Sequence, residues 1–163
     1  MVSRDDLKQI VMLTYLTDPM LDRLAEITDV LKFDSGEYIF RVNDPSRRFY
    51  MLRAGRVLLE QRISDQVTAC IAAIKPGFSF GWSAMIEDMI YTVDAVCEMP
   101  CEVLSFRPEK VQKLFEADPE MGLLMYRRLV VIIKKRLDIR TEQFRQAIKN
   151  HPDMQSMFAC PVD

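Results

Sequence analysis

The sequence predicts an α+β fold, mainly β: an antiparallel β-roll or jelly-roll flanked by N-terminal helices and a long C-terminal helix. Two observations carry this. Between residues 29 and 106, short β-branched and aromatic runs alternate with turn residues, as in an antiparallel roll or barrel. On either side, apolar residues recur at helical spacing.

Taken in order, residues 1–28 read as helical, with Leu7, Ile10, Val11 and Thr14 on one face. Thr17-Asp18-Pro19 then starts a second helix, with a capping oxygen and a proline in the first turn, continued by Leu21, Leu24, Ala25 and Thr28. The runs VLKF (30–33), EYIF (37–40), FYML (49–52), RVLLE (56–60), TACIAAI (68–74) and CEVLSF (101–106) are the predicted strands. Gly36, Asn43-Asp44-Pro45, Gly55, Ser64-Asp65 and Pro76-Gly77 separate them, and Gly81 follows. The glycines fall where the backbone needs positive φ. Arg107-Pro108-Glu109 begins a short helix through Phe115, and Asp118-Pro119-Glu120 begins a long one, with Asp as cap and Pro at the first position. One domain over 1–149 results, comprising N-terminal helices at 1–28, a β-roll at 29–106 and C-terminal helices at 107–149. Residues 150–163 have no period and are expected to form a flexible tail.

In the long helix Leu123, Val130, Leu137 and Phe144 recur every seven residues, and Tyr126, Ile133, Arg140 and Ala147 form a second line. Such a seam suits pairing with a second copy, so Leu123, Tyr126, Val130, Ile133, Leu137 and Phe144 are the expected dimer interface. The alternative is a single wide core face, which Arg140 favours. Leu124, Met125, Leu129 and Ile132 are left to pack on the chain's own roll.

A length of 163 residues, 49% hydrophobic and 28% charged, fits a soluble globular domain, and the net charge of −2 argues against a nucleic-acid binder. The N-terminus MVSRDDLKQIVML has no long apolar run, so neither a signal peptide nor a membrane span is expected; the cytoplasm is the expected location. Cys70, Cys97, Cys101 and Cys160 are irregularly spaced and the only histidine is His151. Plain thiols and no metal site are expected. No GxSxG, Walker loop or HExxH is present, so no catalytic residues are assigned and the chain is not expected to be an enzyme.

Two segments resemble the cyclic nucleotide-binding domain family, which includes the catabolite activator protein and the regulatory subunits of protein kinase A. The first is FDSGEYIFRVNDPSRRFYMLRAGRV (33–57), with Asn43 at a turn where the family usually has glycine. The second, PGFSFGWSAMIEDMIYTVDAV (76–96), aligns on the family's phosphate-binding cassette. The resemblance implies a pocket in which a short helix aims its N–H groups at a phosphate, an arginine pairs with it, and a glutamate holds the ribose. It places Phe80 and Gly81 at the opening of the cassette, with Ser83, Ala84, Met85 and Ile86 in the short helix. Trp82 stands at the glutamate position and Tyr91 at the arginine position. No Lys or Arg lies between Lys75 and Arg107, and Glu87, Asp88 and Asp94 add negative charge.

The candidate ligand-binding residues are therefore Phe80, Gly81, Trp82, Ser83, Ala84, Met85, Tyr91 and Thr92. Trp82 either forms a flat wall for an aromatic or less charged ligand or fills the empty pocket. Ser83 and Thr92 either bond a ligand oxygen or cap local backbone, and Tyr91 is a candidate neutral phosphate donor. Weak or no binding of cAMP or cGMP is expected. The expected partners are a small-molecule ligand and a separate effector protein, because too few residues follow the long helix for a DNA-binding domain; neither DNA nor a membrane is expected. A stand-alone regulatory module signalling through its C-terminal helix is the leading expectation, and a ligand-free dimeric interaction scaffold is the alternative.

Overall fold

A computed structural model describes residues 2–86 and 89–151. The chain divides into two compact units, Met1–Met125 and Tyr126–Asp163. The first unit opens with α1 (Arg4–Lys8), closed at its N-terminus by a capping box in which the Asp6 N–H donates to Ser3 Oγ and the Ser3 N–H donates to the Asp6 carboxylate. A 3₁₀ turn (Val11–Leu13) and α2 (Asp18–Ile27) follow.

The continuous helical face expected through Thr14 is not formed. The Val11 N–H donates to Gly77 O at 2.9 Å instead of to a preceding turn, so the helix has ended by then. Leu7 and Ile10 are buried as expected, but Met12 and Leu13 join them and Val11 is exposed. A tertiary hydrogen bond has overridden local periodicity.

Eight strands come next: β1 (Asp29–Phe33), β2 (Tyr38–Phe40), β3 (Phe49–Ala54), β4 (Val57–Arg62), β5 (Thr68–Ile74), β6 (Ser79–Phe80), β7 (Asp94–Cys97) and β8 (Cys101–Phe106). They form two four-stranded antiparallel sheets, ordered β1-β8-β3-β6 and β2-β7-β4-β5. The chain changes sheet at every connection except β4 to β5, and the last crossing, between β7 and β8, runs through Glu98-Met99-Pro100.

Side chains on a strand alternate between faces, and β3 is buried on both. Tyr50 and Leu52 point into the roll with Phe40, Val57, Ile74, Phe80, Ala95 and Val103. Phe49 and Met51 point the other way, where Phe49 stacks on Phe106 at 4.9 Å. Arg53, next on that outer face, pairs with Asp6 at 2.9 Å and so ties α1 to it. The buried helical residues Leu7, Leu21, Leu24, Val111 and Phe115 complete the core of this unit.

Helix α3 (Pro108–Ala117) and helix α4 (Pro119–Asn150) follow. Asp118 caps α4 as anticipated: its Oδ1 accepts from the Met121 N–H at 3.0 Å, and its other oxygen pairs with Arg23. The Met121 bond, with Arg23 second, holds this carboxyl below the usual range. Met125 and Leu129 are buried, and Leu124 and Ile132 are half-buried. The expected tail falls largely on residues 152–163, outside the described residues.

Candidate functional site

The site is built on the stretch that leaves β6. Phe80 is buried in the roll, and Gly81 turns the chain with φ +71°. A Cβ at Gly81 would stand 2.9 Å from the Tyr50 ring and 3.4 Å from Arg48 O, so no side chain fits there. Trp82–Met85 then form one 3₁₀ turn, in which the Ala84 N–H donates to Gly81 O at 3.2 Å and the Ile86 N–H to Ser83 O at 3.1 Å. The Trp82 indole N–H donates to Ser79 Oγ at 3.3 Å. Glu87 and Asp88, read as adding charge here, lie outside the described residues.

Beyond them the chain is stitched to the loop between β2 and β3. Met89 O accepts from the Ser46 N–H at 3.1 Å and from its hydroxyl at 2.6 Å. The Tyr91 N–H donates to Asp44 O at 3.0 Å, and Tyr91 O accepts from the Asn43 N–H at 2.9 Å. Asp94, expected to repel an anion, accepts from the Val42 N–H at 2.7 Å and so fixes the same loop. Asn43 takes φ +71°, the left-handed geometry anticipated at its turn.

Tyr91 points inward. Its ring stacks on Phe40, with centroids 3.8 Å apart and planes 15° from parallel, beside Tyr50 and Phe80. Its hydroxyl donates to Arg48 O at 2.7 Å and accepts from the Arg48 N–H at 3.1 Å. The Arg48 guanidinium is directed elsewhere, to Asp29 at 2.8 Å and Ser105 at 3.2 Å.

Of the eight candidate residues, Phe80, Ala84 and Tyr91 are therefore buried, Gly81, Trp82, Ser83 and Met85 are half-buried, and Thr92 is exposed. Phe80, Gly81 and Tyr91 are gathered round Phe40 and Tyr50. Sequence reasoning missed the 42–48 loop as the cassette's partner. The Asn-Asp-Pro turn marked the loop, but nothing in it specified what the loop would bind.

Burial is the main cause raising the phenols of Tyr50 and Tyr91 above their usual 10, and at Tyr91 the Arg48 bond opposes it only in part. Because the fold resists their ionisation, the unfolded chain loses these protons first. Stability is expected to be complete below pH 10 and to fall as pH rises above it. A thermal melt series through pH 9–11 checks this; a flat Tm across about pH 10–11 would remove both phenols from the core.

Cys97 and Cys101 flank the sheet crossing and are buried. Burial, with Cys101 second, pushes the Cys97 thiol up to about 12. Among the described residues no group of three or more His, Cys, Asp or Glu is placed to hold a metal. No described helix is long and apolar enough to cross a membrane.

The family model for the cyclic nucleotide-binding domain matches residues 30–118, more than half the chain. The chain belongs to this family. A protein of Geobacter metallireducens named for cyclic nucleotide binding shares the fold with a TM-score of 0.72 and 26% identity, covering 84% of this chain and 99% of that one. The Thermus thermophilus catabolite activator protein, 19% identical with a TM-score of 0.72 over 83% of this chain and 62% of its own, shares the fold. The global nitrogen regulator of Nostoc sp. is 29% identical over 128 residues, 76% of this chain and 54% of that protein. The cGMP-dependent protein kinase egl-4 of Caenorhabditis briggsae is 27% identical over 110 residues, 66% of this chain. The chain thus spans about half of that regulator and only 15% of that kinase. What the family fold contributes here is a regulatory cyclic nucleotide-binding β-roll.

The six seam residues of α4, Leu123, Tyr126, Val130, Ile133, Leu137 and Phe144, are all 40–64% exposed.

Proposed function

We propose that this member of the cyclic nucleotide-binding domain family is a non-catalytic regulatory module whose cassette lacks the charged grip on a phosphate, and that it passes its state to a separate protein through its long C-terminal helix. The observation that carries the reading is Tyr91. It occupies the position where the resemblance expects an arginine, and its hydroxyl is engaged by both polar groups of the Arg48 backbone. Neither the 3₁₀ turn nor the segment up to Phe106 contains a Lys or Arg to replace it.

A charge-assisted hydrogen bond is worth about 1.5–3 kcal/mol. Lacking both the arginine and the glutamate therefore weakens binding by about two to four powers of ten. Titration calorimetry with cAMP and with cGMP is expected to give dissociation constants weaker than about 10 μM. A tighter constant for either would overturn the reading. The exposed seam of α4 supports an output surface on that helix.

The second reading, a ligand-free dimeric scaffold, is favoured by the Trp82 indole, half-buried and bonded to Ser79 of the preceding strand. Under it no nucleotide moves the melting temperature and native mass spectrometry finds a bare dimer. A small molecule co-purifying with the chain decides for the sensor.

A further inference from the structure

We infer that the free edge of β5 takes an added strand, an extended and uncharged β-branched segment of another protein; this depends on neither the reading of the cassette nor that of α4. The two sheets have four edges, β1, β6, β2 and β5. β1 carries Asp29 and Lys32, while β6 and β2 are only two and three residues long. Charge and shortness of this kind keep an edge from pairing. β5 has neither. It is the longest strand of the roll at seven residues, and from Gln66 to Ile74 there is no charged residue and no proline. Among the described residues only β4 pairs with it.

The turn of this hairpin determines which main-chain groups are left over. The Ile63 N–H donates to Val67 O at 2.9 Å, so those two residues face each other as a hydrogen-bonded pair. In an antiparallel ladder bonded and non-bonded pairs alternate. The register runs Arg62–Thr68, Gln61–Ala69 and Glu60–Cys70. Ala69 is therefore the residue that bonds to β4, and the N–H and C=O of Thr68 and of Cys70 point the other way. Ile71 is then the extra residue of a bulge, which bends the edge and bounds this arm. At the near end of the arm Val67 and Ile63 are 52% and 63% exposed, which adds apolar surface beside the outward main chain.

Side-chain size chooses the partner. Ala69, Cys70, Ala72 and Ala73 are small, so bulky cross-strand neighbours find room beside them. A second copy of β5 would set small residues against small residues. A strand about 23 Å long laid on its twin also covers far less than the roughly 1,200 Å² at which stable interfaces begin. An extended segment of another protein needs no such face, because its affinity comes from main-chain hydrogen bonds.

The test uses the full chain and a fluorescent seven-residue peptide of alternating valine and threonine. In fluorescence anisotropy this peptide is expected to bind at least about tenfold tighter than its fully N-methylated form, which cannot donate main-chain hydrogen bonds. It should also bind about fivefold tighter than the same peptide with alanine for valine. Thr68→Pro puts a proline at the first residue of an edge strand, where the lost N–H faces outward. It should leave Tm nearly unchanged and weaken peptide binding at least about tenfold. Ala69→Pro, which removes a bond to Gln61, should lower Tm clearly. Equal binding of the N-methylated or the alanine peptide, or binding of none, overturns the inference. So does a Thr68→Pro variant that binds as the wild type does, or one that melts as low as Ala69→Pro. A dimer in sedimentation equilibrium that Thr68→Pro dissociates would give the edge to a second copy and overturn it as well. None of these results touches the cassette, whose reading stands or falls on the nucleotide calorimetry.

Discussion

Replacing Gly55 with alanine is expected to destabilise the domain by about 2–5 kcal/mol, the sum of a backbone cost and a packing cost. Gly55 turns β3 into β4 with φ +94°. A side chain in left-handed backbone costs about 1–2 kcal/mol. The added Cβ would also stand 2.5 Å from Pro100 O, 2.7 Å from Cys101 Sγ and 2.9 Å from Cys101 Cα. Two of these three atoms are backbone of the β7–β8 crossing, and the third is held by bonds from Cys101 Sγ to Met99 O and Arg56 O. None can move without shifting a strand, which adds about 1–3 kcal/mol of overpacking. For a domain of this size each kcal/mol lowers Tm by about 2–4 °C. Gly36 supplies the control, because it has φ +82° but nothing within 4 Å of its Cβ position. Urea unfolding should show Gly55→Ala costing clearly more than Gly36→Ala. Equal losses would mean that the crossing does not press on the β3–β4 turn.

The same contact explains why the roll was legible in sequence and parts of the site were not. Glycine is recognisable wherever a turn forbids a side chain, and β5 and β8 run over the very residues, 68–74 and 101–106, that the punctuation enclosed. Asn43 was readable for the same reason, since few residues other than glycine tolerate its φ. The cap at Asp118 and the proline after it announced α4. The first helix misled because periodicity registers what a segment prefers alone, and the Gly77 carbonyl that takes the Val11 N–H lies 66 residues further along the chain.

Cassette orientation was harder still. Between Ile86 and Val93 there is no strand or helix period to assign faces, so nothing local says that Ile90 is exposed while Tyr91 is buried. That choice is made by the 42–48 loop, which offers the Tyr91 hydroxyl both backbone groups of Arg48 and the Tyr91 main chain Asn43 and Asp44, and by Phe40, which offers it a ring. The sequence shows that no Lys or Arg lies between Lys75 and Arg107. It could not show that Tyr91 turns into the core.

Tyr91 is accordingly the position where the other large effect is expected. Tyr91→Ala removes a ring that is only 4% exposed and stacked on Phe40, and large-to-small changes of this kind cost about 3–5 kcal/mol. Tyr91→Phe keeps the ring and isolates the hydroxyl's contribution: the Arg48 N–H and carbonyl both lose their partner, at an expected cost of about 1–3 kcal/mol. Stability should therefore fall in the order wild type, Phe variant, Ala variant. Hydrogen exchange adds a readout that burial alone does not control, since the Arg48 amide should exchange faster in the Phe variant even under conditions where the fold is intact. The alkaline loss of stability should also become shallower, with one phenol of the pair removed. If Tyr91→Phe were as stable as the wild type and left Arg48 exchange unchanged, the hydroxyl would be available to a ligand rather than bound inside, and the cassette would have an uncharged donor to offer a phosphate after all.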